Sequence, residues 1–358
     1  MGTAGRSTEA EPEPEPEWWQ TWEAEAERRL PPHAYTYYAS GAGRDITRDE
    51  GLRDWDVLRL LPHVLRRVSG GTTRTTVLGT EVATPVLVAP MAGQEYAHPD
   101  GEREMAKGAA GAGSLLGVTT WTASRFEDVA ASGAPWWYQV YVTRDRGLTA
   151  ELVRRAAHHG ARALLFTVDL PVLGRRGDRQ RAADLDPTVR LVNLAGRQVL
   201  PREEVQSEPD LTPDLIGWLH ETSGLPVVVK GVLRADDAKV VADHGGAGVV
   251  VSTHGGRQLD RSVTSASALP RVAEALAGSG VEVYADSGVR RGEHIAAALA
   301  LGARAVFVGR PALWGLATEG AAGVQEAVDR LTAELAHTMT LLGAETPAAL
   351  TPDLVSGT

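Results

Sequence analysis

His254, inside the glycine-rich run Ser252-Thr253-His254-Gly255-Gly256-Arg257, is a candidate proton acceptor. A lone histidine in such a loop is more often a turn cap than a base. Two other residues change that balance: Arg257 in the same loop, and Asp169 at the end of the apolar run Thr167-Val168-Asp169. A carboxylate beside an imidazole fixes its tautomer and stabilises the imidazolium, which makes a usable general base. Arg257 and Arg176 offer guanidinium forks that pair bidentately with a substrate carboxylate. Lys230 follows Pro226-Val227-Val228-Val229 and is one of only three lysines, with Lys107 and Lys239. An ammonium carried by so apolar a run needs an anion. Asp286-Ser287-Gly288-Val289-Arg290 and Gly309-Arg310-Pro311 combine glycine turns with arginines, the make-up of a phosphate site.

Composition removes competing chemistries. The chain has 358 residues and no cysteine, which excludes disulfides, thiolate metal sites, iron–sulfur clusters and cysteine nucleophiles. A net charge of −10 speaks against a nucleic-acid partner, whose phosphates need clustered Lys and Arg. With 43% hydrophobic residues a large core can form, so global disorder is excluded. There is no His-Glu-x-x-His zinc motif and no Gly-Lys-Ser/Thr phosphate loop, and no metal is expected. Gly108, Gly111 and Gly113 precede an apolar run instead of following one, so they read as helix-end packing and not as a dinucleotide fingerprint. His158-His159 shows no metal spacing and reads as surface. No apolar run approaches the roughly 18–20 residues that cross a bilayer. Met1 to Ser7 lacks the apolar stretch of a secretory signal, and Arg6 stands where a myristoylation site needs Ser or Thr. A cytoplasmic protein without membrane attachment is expected.

These residues must be gathered by the elements that carry them. From residue 84 onward, short apolar runs alternate with Ala- and Arg-rich stretches that suit helices. Eight runs are present: 84–92, 114–120, 136–142, 163–169, 225–231, 247–253, 281–288 and 303–311. Their start-to-start spacings are mostly 21 to 35 residues, room for a strand, a helix and two turns. Runs apolar on both faces fit a buried parallel sheet, and eight such units predict an α/β (β/α)8 barrel. Active sites of such barrels sit at the carboxyl ends of the strands, and almost every run ends in a polar group. Between the fourth and fifth runs lie 62 residues, roughly 30 more than one unit needs. The excess contains Gly174-Arg175-Arg176-Gly177-Asp178-Arg179-Gln180-Arg181, expected to be exposed and lid-like. The predicted organisation is an acidic disordered tail and Trp-rich helical arm (1–29), a barrel (30–345) with the lid-like insertion in 170–224, and a C-terminal tail (346–358). In the arm, Trp18, Trp19 and Trp22 share one helical face, expected to dock on the main domain or a sister subunit. Deleting residues 1–22 is expected to leave turnover nearly intact.

The ordered motifs resemble the FMN-dependent L-2-hydroxy-acid oxidases and dehydrogenases, the family of glycolate oxidase, lactate oxidase and mandelate dehydrogenase. The resemblance runs from about Leu30 to Leu342. Its most specific stretch is Ser252-Thr253-His254-Gly255-Gly256-Arg257-Gln258-Leu259-Asp260. Tyr37-Tyr38-Ala39-Ser40-Gly41, Thr167-Val168-Asp169, Leu173-Gly174-Arg175-Arg176, Val229-Lys230-Gly231 and Gly309-Arg310-Pro311 accompany it. The resemblance implies FMN lying across the strand ends. Pro90, Met91, Ala92, Thr119, Gln139, Thr167, Lys230 and Ser252 would surround the flavin and ribityl. Asp286, Ser287, Gly288, Val289 and Arg290 with Gly309 and Arg310 would hold the ribityl and phosphate end. Tyr37, Arg176 and Arg257 would bind the substrate carboxylate, Tyr141 its 2-hydroxyl, and Trp121 would line the pocket. His254, paired with Asp169, would be the base. Lys230 would stabilise the anionic reduced flavin, which carries negative charge near N1.

Three residues depart from the family pattern. Thr253 replaces the usual Asn, so the orientation of His254 must be held differently. Ser287 replaces the first Gly of Asp-Gly-Gly, which demands a negative φ. Met91 stands where Thr is common. None removes a catalytic group. The expected activity is oxidation of a small L-2-hydroxy acid to the 2-oxo acid, with O2 as acceptor giving hydrogen peroxide. Trp121 and Leu173 favour a small or medium aliphatic acid. The rivals are a dehydrogenase using a quinone or another electron carrier, a non-redox FMN-dependent isomerase, and an FMN-retaining interaction protein that works through the Trp-rich arm. The resemblance also implies a homotetramer.

Overall fold

The structure, a computed structural model, describes residues 16–175, 188–194, 199–201 and 205–356. Eight parallel strands close into a barrel: β1 (Val86–Val88), β2 (Leu116–Val118), β3 (Trp136–Val140), β4 (Leu164–Thr167), β5 (Val227–Val232), β6 (Gly248–Val251), β7 (Glu282–Ala285) and β8 (Ala305–Val308). Each strand pairs with its neighbours in sequence, and β8 returns to β1 through Val306↔Val86, Phe307↔Leu87 and Val308↔Val88. All eight apolar runs therefore supply a barrel strand, as the spacing predicts.

The barrel interior is a layer of alternating side chains. Leu87, Trp137, Leu165, Val228, Val250, Tyr284 and Phe307 form one buried cluster, with the Trp137 and Tyr284 rings 5.3 Å apart and nearly perpendicular. Alternation along a strand sends every second residue to the same side, so these positions point inward while their neighbours pack under the helices. Val77 and Val82, from an antiparallel hairpin (Thr75–Val77 with Thr80–Val82), join the interior cluster and close the floor of the barrel. Burial of this layer on both sides explains why the strands read as continuous apolar runs.

Helices ring the barrel. Before it come α1 (Trp18–Arg29), α2 (Pro32–Ala39) and α3 (Ile46–Val57). Around it run α4 (Gly101–Gly111), α5 (Phe126–Ala130), α6 (Arg146–His158), α7 (Asp214–Ser223), α8 (Ala235–Asp243), α9 (Ser265–Ala275), α10 (Gly292–Ala300) and α11 (Arg310–Leu342), the last broken at Glu319–Gly320. Side-chain caps begin two of them: Asp145 accepts from Gly147 N at α6, and Thr264 accepts from Ser267 N at α9. Gly108 lies against Ala321 and Val324, so the α4 glycines do serve helix packing. The tryptophan face of α1 docks on α11: Trp18 Nε1 donates to Glu334 at 2.8 Å, and Trp22 packs against Gly315. The acidic stretch of residues 1–15 lies outside the described residues. In the C-terminal stretch, Leu350 and Leu354 are buried and Val355–Ser356 pairs with Arg59–Leu60.

Candidate active site

The interior layer fixes what comes next. One inward step beyond Trp137, Leu165, Val228, Val250, Tyr284 and Phe307 stand Gln139, Thr167, Lys230, Ser252, Asp286 and Gly309. The barrel thus converts a period of two into a polar layer over an apolar one. Within that layer Thr119 Oγ1 donates to Gln139 Oε1 at 3.0 Å, and Gln139 Nε2 donates to Thr167 Oγ1 at 3.1 Å. Lys230 Nζ donates to Ser252 Oγ at 2.8 Å and lies 2.9 Å from Asp286 Oδ2. Lys230 is almost fully buried. Burial pushes its pKa down, but Asp286 and then Asp169 outweigh it and hold the ammonium above its ordinary value. At the eighth strand end Met91, half-buried, packs against Gly309, while Pro90 abuts Gly117; Ala92 follows half-buried.

A further two residues along the chain, three of these strands deliver Tyr141, Asp169 and His254. His254 Nδ1 lies 2.9 Å from Asp169 Oδ1, and the Tyr141 hydroxyl is 3.5 Å from His254 Nε2. A proton on Nδ1, shared with the carboxylate, leaves Nε2 free to accept another. Burial raises the Asp169 pKa, yet His254 and Lys230 overcome this and hold the carboxyl below the usual carboxylate range. Asp169 therefore stays an anion. Gly231 makes room for it: at φ 108, a Cβ there would lie 2.6 Å from Asp169 Cβ.

Ser287 requires a correction. Its φ is 70°, in the left-handed region and not negative as the sequence demands for a non-glycine residue. Its hydroxyl explains the exception. Ser287 Oγ accepts from Thr253 N at 3.2 Å and Gly255 N at 2.9 Å, and donates to Asp286 Oδ1 at 2.6 Å. The serine thereby braces both flanks of His254. Thr253 Oγ1 contributes by accepting from Gly256 N at 3.2 Å. His254 itself has φ 56°, and its N–H donates to Ser252 Oγ at 3.0 Å.

The arginines after β7 and β8 meet the floor of a second feature, a cavity of about 290 Å³. Its lining includes Ser287, Gly288, Arg290 and Arg310 from the barrel rim and Trp19, Glu23 and Arg48 from the N-terminal helices. Gly288 permits this approach, since a Cβ there would sit 2.0 Å from Gly51 O. Val289 between them is buried. Arg310 donates to the carbonyls of Tyr38, Ser40 and Gly255, and Arg290 Nη1 to that of Val289, all neutral acceptors. Arg290 Nε is buried with no hydrogen-bond partner. Burial pushes Arg290 down to about 10; burial and then the neighbouring Arg290, Arg257 and Arg48 charges push Arg310 down to about 9. Two partly buried guanidiniums, one with a buried and orphaned Nε–H, call for an anion, and a phosphate monoester fits that demand.

In the loop of His254, the Arg257 guanidinium lies 4.8 Å from the Tyr37 ring centroid and donates to the Tyr37 and Ser40 carbonyls. Trp121 stacks on Tyr141 at 6.0 Å. Arg176 and most of the charged segment after it lie outside the described residues. The side chain of Leu173 is exposed. The described parts of the insertion are anchored: Asn193 Oδ1 accepts from Phe126 N at 2.9 Å, its Nδ2 donates to Ser124 O at 3.0 Å, and Leu191, Leu194, Leu200 and Val205 are buried. Sequence reasoning missed Gln258, although it stands in the most specific motif. Its Nε2 donates to the carbonyls of Asp169 and Val172, and its Oε1 accepts from Gly174 N, tying the start of the insertion to the loop of His254. It also missed Arg48 and Glu23, which only the folding of α1 and α3 over the rim brings near.

A family model described as FMN-dependent dehydrogenase matches residues 26–357, and the chain belongs to that family. An L-lactate oxidase of Nostoc sp. is 42% identical over 340 residues, covering 90% of this chain and 93% of the relative. The glycolate oxidase of Spinacia oleracea is 38% identical, covering 90% of each chain. Among solved structures, a mandelate oxidase with (S)-2-phenylpropionate matches with a TM-score of 0.86 at 34% identity, over 94% of this chain and 97% of that one. Another mandelate oxidase structure, with a TM-score of 0.84 at 34% identity and covering 92% and 97%, carries an FMN adduct. FMN is the cofactor of the family, and the pair Arg290 and Arg310 fits its phosphate.

Proposed function

We propose that this chain is an FMN-dependent (S)-2-hydroxy-acid oxidase that converts a small L-2-hydroxy acid to the 2-oxo acid, with O2 as acceptor giving hydrogen peroxide. The observation that carries the reading is the His254–Asp169 pair at the rim, with Tyr141 at the other ring nitrogen and Arg257 in the same loop. Bound FMN supplies the two-electron acceptor. Arg257, with Tyr37 and Arg176, would hold the substrate carboxylate. The Tyr141 hydroxyl would orient the 2-hydroxyl, and Trp121, stacked on Tyr141, would wall the pocket. His254 Nε2 accepts one proton of the H–C–OH unit, and the Asp169 anion stabilises the imidazolium that results. Pro90, Met91, Ala92, Thr119, Gln139, Thr167 and Ser252 would border the flavin and ribityl, with Lys230 placing a fixed positive charge beside them. Asp286 to Arg290 with Gly309 and Arg310 would seat the ribityl and phosphate end.

The test is spectroscopic. The purified holoprotein is mixed without oxygen with a panel of L-2-hydroxy acids and then exposed to air. Bleaching of the oxidised-flavin spectrum by at least one acid, followed by fast recovery with hydrogen peroxide, is expected. Slow recovery in air would move the reading to a dehydrogenase with another electron carrier. The proposal extends to a homotetramer in the cytoplasm, checked by sedimentation and by fractionation of the source cells; among the described residues no helix is long and apolar enough to cross a membrane.

A further inference from the structure

We propose that helix α1 is the outer wall of the cofactor-phosphate seat, with Trp19 holding the Arg290 guanidinium and Glu23 serving as a resident counter-charge that opposes the phosphate. The inference rests on the reading of Arg290 and Arg310 as phosphate ligands, and adds residues outside the barrel to that site. Trp19 is buried, and the Arg290 guanidinium carbon lies 5.6 Å from the centroid of its ring. A partly buried guanidinium over an indole face is held by the ring quadrupole, which takes up none of its N–H groups, and Arg290 Nε has no hydrogen-bond partner. Trp19 thus fixes Arg290 without neutralising it.

Glu23 lies one helical turn further along, half-buried, and lines the same cavity as Arg48, Arg290, Arg310, Ser287 and Gly288. Arg48 is paired with Asp45 and Asp49, whereas Arg290 and Arg310 donate to carbonyls. The Glu23 charge acts on all three arginines. A carboxylate so placed steadies the arginine cluster, and a phosphate entering the same cluster meets its repulsion. The helix is pinned there from both ends: at its start Arg291 reaches Glu17 at 3.1 Å and Trp18 reaches Glu334, and at its far end Arg29 Nη1 donates to the Thr318 carbonyl. On this view deleting residues 1–22 lowers FMN occupancy and does not leave turnover intact.

Apoprotein of the full chain is titrated with FMN and separately with riboflavin, which lacks the phosphate, by quenching of flavin fluorescence. The wild type is expected to bind FMN more tightly than riboflavin. Glu23→Gln should tighten FMN binding by roughly three- to tenfold, an effect that shrinks in high salt, with riboflavin unchanged. Trp19→Ala should weaken FMN by roughly five- to twentyfold with riboflavin again unchanged, and Trp19→Phe should restore most of the loss. If FMN and riboflavin move by the same factor in these variants, or Glu23→Gln leaves FMN affinity equal or weaker, the helix is a strut and the proposal is wrong. A wild type with no preference for FMN over riboflavin would remove the phosphate seat itself, and this inference with it.

Discussion

His254 sits in left-handed backbone at φ 56°, a conformation that costs a non-glycine residue on the order of 1–2 kcal/mol. Its neighbour at the rim, Ser287, repeats the same strain at φ 70°. Both are held by hydrogen bonds that converge on the loop of His254, so the strain locates the imidazole against Asp169. Ser287→Ala keeps the left-handed cost and loses the hydroxyl, whereas Ser287→Gly loses the hydroxyl but relieves the backbone. The alanine variant should therefore unfold at lower denaturant than the glycine variant, by about 1 kcal/mol, and both should turn over more slowly than wild type. Equal stability of the two would mean that the serine backbone is unstrained. Asp169→Asn should lower kcat by on the order of 10²- to 10⁴-fold while the bound-flavin spectrum survives, because the wrong tautomer is then favoured. Asp169 also sets an acid limit. Its folded pKa lies below its ordinary value of 3.8, so its contribution to stability is present above that value and lost as pH falls through the folded pKa.

At the scale of elements, the strand ends were legible because each feature of the barrel has a short sequence signature. The apolar run recurs eight times, and in six of the strands a polar residue stands one alternation further, so the polar layer of Thr119, Gln139, Thr167, Lys230, Ser252 and Asp286 follows from that period. The insertion was legible only as excess length, since its anchoring through Asn193 and Gln258 depends on contacts far along the chain. Glu102, in the first turn of α4, was not legible at all. It is fully buried, accepts from Ser124 Oγ at 3.2 Å, and leaves Oε1 without a partner. Burial pushes its pKa up to about 7 from an ordinary 4.5. An acid raised in the folded state destabilises progressively as pH climbs from the unfolded value to the folded one, here by on the order of 3 kcal/mol. Glu102→Gln should consequently gain stability relative to wild type between pH 5 and pH 8, read from melting temperatures at the two values. A constant difference across that range would show that Glu102 is already ionised.

For the whole molecule, the sequence carried the barrel, the pairing of His254 with Asp169 and the buried lysine, because each occupies a strand end whose position the repeat determines. What it did not carry was the covering layer. The spacing of Trp18, Trp19 and Trp22 announces a docking face, but nothing in it places Trp19, Glu23 and Arg48 at the rim, which they reach only after α1 and α3 fold over the top. Ser287 was misread because a glycine replacement was judged by backbone preference alone, while the hydroxyl's three partners lie on residues 253, 255 and 286. Among the described residues, the proposed chemistry centres on the rim where His254 stands between Asp169 and Tyr141. The most direct test is the anaerobic single-turnover bleaching of bound FMN by an L-2-hydroxy acid in His254→Ala beside wild type. A fall in the reduction rate of on the order of 10³-fold or more, with the oxidised spectrum of bound FMN unchanged, is expected. An undiminished rate would contradict the assignment of His254 as the base.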